Sequence, residues 1–305
     1  MSLEYPMILI TGAAGKTGRA VIRALVSRGQ VVRALVHRPE QARPVKELGV
    51  QEVVTGNLSD AEAVGQAARG SQAIYHICPN MHPDEAVVGQ AVIAAARSAG
   101  VPHLIYHSVL HPQVEAMPHH WHKMQVEEQL FKSGLSYTIL QPAAYMQNVL
   151  AQWNSIVQEG VYPVPYRVET RLGMVDLNDV AEAAAIVMTE GGPAEASGTG
   201  HTGATYELAG AEALSQIEVA AVLADCLGRP VRAERVEIEA WEQRARASGL
   251  GSYQIETLVK MFRYYEQHDF WGNPRVLGWL LGRPPTTFAG FCRNAREANP
   301  LIGTL

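Results

Sequence analysis

Short apolar segments alternate with helical ones through the first 142 residues, and this alternation limits the possible folds more than any other feature of the sequence. The predicted strands are Met7–Thr11, Val31–Val36, Glu52–Thr55, Ala73–Cys78, Leu104–Ser108 and Tyr137–Gln141. Helical patterns lie between them at 19–25, 40–48, 60–69, 84–98 and 119–132. Nearly continuous apolar strands separated by helices are typical of a parallel sheet covered on both faces. The sequence therefore predicts an α/β fold with a doubly wound parallel sheet.

The second half of the chain is predicted to be mostly helical. Helical patterns cover 179–189, 215–227, 240–248, 253–266 and 288–298, and a glycine-rich loop at 191–203 leads into a short strand at 206–208. We assign residues 1–150 to the sheet domain, with additions to the sheet from about 170–210. Residues 151–305 are assigned to a smaller helical cap region that holds the substrate.

Composition and charge exclude several classes of protein. The 305 residues carry 25 Lys and Arg against 30 Asp and Glu, a net charge of −5, so no basic excess supports binding to nucleic acid. No apolar stretch approaches the roughly 20 residues that span a bilayer, and the amino terminus lacks the pattern of a secretion signal. The three cysteines lie far apart without CxxC spacing, which favours a reducing compartment. We expect a soluble, cytoplasmic protein.

The turn after the first predicted strand has the spacing of a dinucleotide-binding loop. Gly12 permits a tight turn, Gly15 lets a pyrophosphate approach the backbone, and Gly18 allows the following helix to pack closely. The start of that helix offers N–H groups to the phosphates. The residues assigned to cofactor binding in this loop are Thr11, Gly12, Gly15, Lys16, Thr17 and Gly18. A glycine-rich turn without a ligand is the alternative.

The end of the second predicted strand indicates which dinucleotide binds. Chains that bind NAD place Asp or Glu about 20 residues after the loop, where it holds the ribose 2′-hydroxyl. Here the strand ends in His37 and Arg38, with no carboxylate. A guanidinium binds phosphate oxygens bidentately, so Arg38 suits the 2′-phosphate of NADP(H), and Lys16 adds a second charge. An ordinary solvated arginine is the alternative, and NADP(H) is the favoured cofactor.

Seven pieces of sequence at consistent separations resemble the NmrA-like group of atypical short-chain dehydrogenases/reductases. They are the glycine loop, Gly56–Leu58, His119–Lys123, Tyr137–Pro142, Val175–Ala181, Tyr206–Gly210 and Gly282–Phe288. The resemblance covers almost the full length and is specific for fold and dinucleotide binding, but not for substrate. It implies a Rossmann-type sheet with NADP(H) across the carboxyl ends of its strands.

The same resemblance implies roles for single residues. Asn57 and Leu58 would lie against the adenine, although many relatives have Asp where Asn57 stands. Cys78 and Pro79, which end the fourth strand, would flank the nicotinamide ribose. The family includes NADPH-dependent quinone reductases, reductases of plant phenolics and cofactor-sensing regulators without turnover.

A His-x-x-x-Lys motif stands where short-chain dehydrogenases commonly have Tyr-x-x-x-Lys. His119 and Lys123 share one face of a predicted helix, and Glu127 extends that face by one turn. Lys123 is predicted to bind the nicotinamide ribose, and His119 to act as the acid because an unperturbed histidine titrates near neutrality. Ser108, past the fifth strand, would hydrogen-bond a substrate carbonyl. The alternatives are a His119 that is simply a polar residue near a helix start, with no proton to deliver, and a Glu127 that only pairs with Lys123.

Six of the eleven histidines fall within residues 103–122. No metal site is predicted, because no cysteine or HExxH motif accompanies them and neighbouring helical residues point about 100° apart. We expect several of them to border the nicotinamide and to make cofactor binding or activity depend on pH between about 5 and 8. His111, and Tyr145 after the sixth strand, are candidate substrate contacts.

The favoured function is an NADPH-dependent reductase that transfers hydride to a small quinone, carbonyl or similar acceptor. A non-catalytic NADP(H) sensor that binds a protein partner is the alternative, because the catalytic tyrosine is absent. A nucleotide-sugar epimerase is disfavoured, since that chemistry relies on the Tyr–Lys pair. A small-molecule acceptor is the expected partner, with a homodimer or a protein partner left open and no nucleic acid or membrane expected.

Overall fold

The computed structural model describes residues 7–190 and 200–298. Its strands are β1 (Met7–Ile10), β2 (Val31–Val36), β3 (Glu52–Thr55), β4 (Ser71–His76), β5 (His103–His107), β6 (Ser136–Pro142), β7 (Val161–Val164), β8 (Arg171–Leu172), β9 (Ala204–Leu208), β10 (Leu214–Ser215) and β11 (Arg232–Arg235). Its helices are α1 (Lys16–Ser27), α2 (Ala42–Lys46), α3 (Ala61–Ala68), α4 (Glu85–Ser98), α5 (Pro118–Phe131), α6 (Trp153–Glu159), α7 (Leu177–Thr189), α8 (Gln216–Leu227), α9 (Ile238–Ala247), α10 (Ser252–His268), α11 (Pro274–Leu281) and α12 (Phe288–Ala298). Short 3-10 helices lie at Pro39–Gln41 and Met146–Gln152.

The main sheet has seven strands in the order β3-β2-β1-β4-β5-β6-β9. The neighbours from β3 to β6 pair in parallel. This is the strand order of a Rossmann sheet, in which the order reverses between β1 and β4. The prediction of a doubly wound α/β fold is therefore confirmed. Ligands of such sheets bind at that reversal, outside the carboxyl ends of the strands.

The core of this sheet explains why the strands are so apolar. Leu9, Ile74, Leu104 and Ile139 lie in four neighbouring strands and are almost fully buried in one cluster. Val126 and Leu130 of α5 pack on the same cluster. Helices cover both faces of the sheet, so side chains on both faces are buried. The strands therefore do not show the alternation of apolar and polar residues that a half-exposed strand has.

The chain divides into two compact units. The first contains residues 1–113, 119–141 and 180–206, and the second contains residues 114–118, 142–179 and 207–305. The second unit includes two small sheets, β10-β8 and β11-β7, which the sequence did not predict. α6 and α11 were also missed, and the helix expected at 40–48 is a 3-10 turn followed by α2.

Some predictions concern residues that lie outside the described ranges. These are the amino-terminal residues 1–6, used to judge a secretion signal, and residues 191–199 of the glycine-rich loop. Among the helices that the structure describes, none combines the length and apolar character needed to cross a membrane.

Candidate functional site

The glycine loop forms the tight turn that its spacing predicts. Gly12 has a φ of +60°, and a β-carbon there would lie 2.7 Å from the Ile77 carbonyl oxygen. A β-carbon on Gly18 would lie 2.4 Å from the Gly12 carbonyl oxygen. Gly15 stands at the N-cap of α1 and, having no side chain, makes no side-chain capping hydrogen bond there. The turn thus has a glycine cradle, the space at Gly12 and Gly18 that side chains would fill, and it leads into a helix N-terminus suited to an anion.

Thr11 has a structural role besides the one predicted. Its side chain is fully buried, and its hydroxyl accepts a hydrogen bond from the Ile77 N–H at 2.9 Å. The same oxygen lies 2.9 Å from Nδ1 of His76. The Thr11 side chain therefore joins the carboxyl ends of β1 and β4 at the reversal point, and its assignment to cofactor binding stays a prediction.

The adenine side of the predicted site follows β2 and β3. Arg38 is exposed and its guanidinium pairs with Glu40 at 3.2 Å. Exposed ion pairs contribute little free energy, so a phosphate can readily exchange with Glu40. Asn57 is exposed and its side-chain oxygen accepts from the Ser59 N–H at 3.0 Å, whereas Leu58 is half-buried against the core. The Asn57 side-chain oxygen accepts in this turn as an Asp carboxylate oxygen can, so the departure from Asp leaves the turn intact.

Lys123 is anchored at the carboxyl end of β5. Its ammonium donates to the His107 carbonyl at 3.2 Å and to Oε1 of Glu85 at 2.6 Å. It also lies 5.4 Å from the centre of the Tyr106 ring. The alternative in which Glu127 only pairs with Lys123 differs from the ion pair in the structure. Glu85, at the start of α4, is the residue that pairs with Lys123.

Glu127 instead forms a buried network with Ser108. Ser108 donates its hydroxyl hydrogen to Oε1 of Glu127, and Nε2 of Gln141 donates to both carboxylate oxygens, at 2.9 and 3.0 Å. Burial raises the pKa of Glu127, while the bonds from Ser108 and Gln141 oppose that rise. The Ser108 hydroxyl hydrogen is directed to Glu127 in this structure, and its predicted bond to a substrate carbonyl stays a prediction.

His119 does not have the ordinary pKa on which its predicted role depends. The side chain is 7% exposed, and burial lowers its pKa to about 2, with His120 and Lys123 acting in the same direction. Its Nδ1 atom has no hydrogen-bond partner among the described residues. Since the ring is neutral at physiological pH, His119 can offer an N–H or accept a hydrogen bond, but it does not carry a transferable second proton.

Burial also lowers the pKa of several other histidines in the cluster. Burial lowers the pKa of His107 to about 3 and the pKa of His103 and His120 to about 4. Charging of His103, His107 and His120 therefore does not support the predicted pH dependence between pH 5 and 8, which stays a prediction. Within the described ranges, no group of three His, Cys, Asp or Glu side chains is arranged to hold a metal ion.

The remaining predicted residues are divided between the two units. Cys78 is buried and interacts electrostatically with Glu85 and Lys123, while Pro79 beside it is exposed. His111 is half-buried with a φ of +52°, and its carbonyl accepts from His120. Tyr145 belongs to the second unit, where it forms a bridge with Val175. The first unit thus contains the predicted residues Cys78, Lys123 and Ser108, together with Glu85, which the sequence did not predict as a site residue.

The sequence contained one signal for Glu85 that was missed. Glu85 is the first residue of a helix whose next eleven residues read Ala-Val-Val-Gly-Gln-Ala-Val-Ile-Ala-Ala-Ala. A carboxylate in a helical first turn is common because it complements the helix dipole, so it does not by itself indicate a site. Its near-complete burial, at 1% exposure, is what distinguishes it.

A model of the NmrA-like family matches residues 5–281. The chain belongs to the NmrA-like family. The resemblance seen in the sequence motifs is confirmed, and the match covers both compact units.

Three relatives of this NmrA-like protein have been given enzymatic names. The (4-alkanoyl-5-oxo-2,5-dihydrofuran-3-yl)methyl phosphate reductase of Streptomyces griseus is 35% identical over 298 residues, 96% of this chain and 99% of that protein. The NAD(P)H azoreductase of Xenophilus azovorans is 28% identical and covers 94% of this chain and 97% of its own. The NADPH-dependent quinone oxidoreductase of Escherichia coli, solved with NADPH, has a TM-score of 0.81 at 27% identity and covers 95% and 99% of the two chains. NADPH is the cofactor that the sequence predicted for this chain.

Proposed function

We propose that this NmrA-like protein is an NADPH-dependent reductase of small electrophilic acceptors such as quinones, conjugated carbonyls or azo compounds. One observation carries the proposal: the glycine cradle after β1 and the anchored Lys123 after β5 lie at the same edge of one parallel sheet. In a Rossmann sheet this edge holds the dinucleotide. Full-length relatives at 28% and 35% identity are named as reductases, which supports the same chemistry.

The residues present fit NADPH. The helix N-terminus at Gly15 suits the pyrophosphate, and Arg38 suits the 2′-phosphate because its planar guanidinium offers paired donors. Lys123 would hold the hydroxyls of the nicotinamide ribose. When bound, the reduced nicotinamide supplies the hydride, and the protein supplies binding and orientation.

The chain's own groups supply little acid catalysis. His119 is neutral, so it orients an acceptor through a hydrogen bond, and water delivers the proton that follows hydride addition. Ser108 and Glu127 are occupied with each other in the interior. Acceptors that accumulate little negative charge, or whose reduced anion is stable, such as quinones, suit a site of this kind better than simple ketones.

A steady-state assay tests the proposal. Purified protein is mixed with NADPH and, in turn, with quinones, azo dyes, conjugated lactones and simple ketones, and the loss of nicotinamide absorbance is followed. The expected result is turnover with at least one quinone, azo dye or lactone. Lys123→Met should lower kcat/KM by about tenfold to hundredfold, because a hydrogen bond to a charged group contributes about 1.5–3 kcal/mol. Lys132→Met, which removes an exposed lysine just after α5, is the matched control and should retain activity.

A cofactor-sensing regulator is the second candidate, and the buried, neutral His119 favours it. A sensor would bind NADPH and NADP+ with different affinities and would consume neither. Tight NADPH binding without turnover across the whole panel would favour the sensor over the reductase.

A further inference from the structure

The Lys123 ammonium has a dedicated, buried counter-ion. Oε1 of Glu85 accepts from Lys123 at 2.6 Å and from the Tyr106 hydroxyl at 2.9 Å. The Glu85 side chain is 1% exposed and the Lys123 side chain 14% exposed. Oε2 of Glu85 is buried and has no hydrogen-bond partner among the described residues, so Oε1 is the oxygen through which the carboxylate holds Lys123.

A glycine one turn along α4 sets the approach of the two helices that carry this pair. Gly89 follows Glu85 by four residues, and Val126 follows Lys123 by three, so each lies one turn further along its own helix. A β-carbon on Gly89 would lie 2.6 Å from a methyl carbon of Val126. Only glycine therefore permits α4 and α5 to come this close, and this approach brings the Glu85 carboxylate onto the Lys123 ammonium.

A buried ion pair does not by itself make a protein more stable. Removing two charges from water costs about as much as their attraction returns, and apolar residues of similar volume often serve equally well. What the pair does provide is a fixed position for a long, flexible lysine. Glu85 on one side and the His107 carbonyl on the other hold the ammonium at the carboxyl end of β5.

We propose that Glu85 is a positioning residue for Lys123, and that Gly89 sets the helix spacing on which this positioning depends. Glu85 holds the ammonium where it meets the ribose hydroxyls of the dinucleotide. This inference rests on the proposed function, because Lys123 acts on the cofactor only if the protein binds one.

A double-mutant cycle on cofactor affinity tests the inference. The Kd for NADPH is measured by the fluorescence of the bound cofactor for the wild type, Glu85→Gln, Lys123→Met and the double variant. Glu85→Gln and Lys123→Met should each raise Kd by about tenfold, the usual effect of losing one charged hydrogen bond. The double variant should be no weaker than Lys123→Met alone. Glu52→Gln, which breaks another 2.6 Å ion pair, is the control and should leave Kd unchanged.

Two results would overturn the inference. One is a folded Glu85→Gln protein that binds NADPH as tightly as the wild type. The other is a double variant whose loss is the product of the two single losses, because Glu85 would then act independently of Lys123. Wild-type protein that binds no NADPH would overturn the proposed function, and this inference with it.

A second variant covers the case in which Glu85→Gln does not fold, since it leaves a buried ammonium without its partner. Gly89→Ala pushes α4 away from α5 and keeps both charged groups. It should raise the Kd for NADPH when Lys123 is present and change it little in the Lys123→Met background. An equal rise in both backgrounds would contradict the positioning role. Urea unfolding of each variant, monitored by circular dichroism, verifies that the affinities come from folded protein.

Discussion

Gly12 and Gly18 lie in direct backbone contact: a β-carbon on Gly18 would stand 2.4 Å from the Gly12 carbonyl oxygen and 2.8 Å from Cα of Ala13. The contact joins the first turn after β1 to the first turn of α1. It explains why the loop needs glycine at position 18 as well as at position 12. A β-carbon on Gly18 would clash with backbone atoms, which cannot move aside as a flexible side chain can.

Gly18→Ala should therefore weaken both the fold and cofactor binding. We expect the free energy of unfolding to fall by about 1–3 kcal/mol, which is typical of forced overpacking, and the Kd for NADPH to rise. Gly65→Ala is the control, because a β-carbon at Gly65 in α3 meets nothing within 4 Å. That change should stabilise the protein by up to about 1 kcal/mol, as Ala favours helix over Gly. Urea unfolding and NADPH titration measure both effects. Equal behaviour of the two variants would contradict the contact.

Arg38→Ala should separate the two nicotinamide cofactors. Only NADPH carries the 2′-phosphate, so its Kd should rise by about tenfold to hundredfold, the effect of losing charged hydrogen bonds, while the Kd for NADH should hardly change. Arg43→Ala removes another exposed arginine, paired with Glu47, and should leave both affinities unchanged. Equal losses for NADPH and NADH would show that Arg38 does not contact the 2′-phosphate.

Stability should fall with acid because several histidines are buried in the neutral form. Burial lowers the pKa of His103 to about 4 in the folded protein, against about 6.5 in an unfolded chain. The unfolded state therefore binds more protons below pH 6.5, so His103 contributes stability that is fully present above that pH and is lost on acidification towards pH 4. Urea unfolding between pH 8 and pH 4 should be flat above about pH 7 and then decline. His103→Gln should make the decline less steep, by up to about 1.4 kcal/mol per pH unit. An unchanged slope would contradict the neutral, buried state.

Asp179 should be a stability residue of the second unit. Its buried carboxylate accepts from the Arg283 guanidinium at 2.8 Å, the Thr286 N–H at 2.6 Å and the Thr286 hydroxyl at 3.0 Å. Asp179→Ala removes the buried acceptor of these three hydrogen bonds and should cost about 2–4 kcal/mol of unfolding free energy. Asp225→Ala, at an exposed position of α8, should stay within about 0.5 kcal/mol of the wild type. Urea unfolding of the two variants decides the question, and a similar small change in both would refute it.

The sequence predicted the main sheet well because its strands and turns restrict which residue types can stand at individual positions. A parallel strand buried on both faces, such as β5, needs an apolar centre, here Leu104–Tyr106, and a tight turn such as Gly12–Gly18 needs glycine where a β-carbon would meet backbone. Both requirements appear directly in the residues. The small sheets β10-β8 and β11-β7 were missed because strands of two to four residues, such as Arg232–Arg235, have too few positions to show a period.

The candidate site was predicted less completely, since its contacts join distant parts of the chain. Helical spacing correctly put Lys123 and Glu127 on one face, yet spacing within one helix cannot reveal Glu85, 38 residues away. The burial of individual side chains was the second property that the sequence did not predict. A histidine's pKa depends on how much water surrounds it, and nothing in the letters around His119 indicated that its ring would be enclosed.

The most direct test of the reductase account is a single-turnover experiment. The protein is saturated with NADPH, mixed rapidly with a quinone, and followed by nicotinamide absorbance, once with ordinary NADPH and once with NADPH deuterated at the transferring position of C4. We predict that bound NADPH is consumed faster than NADPH alone in the same buffer, that deuteration slows the loss, and that Lys123→Met slows it further. Bound NADPH that persists at the rate of free cofactor, with quinones, azo dyes and conjugated lactones alike, would contradict the account.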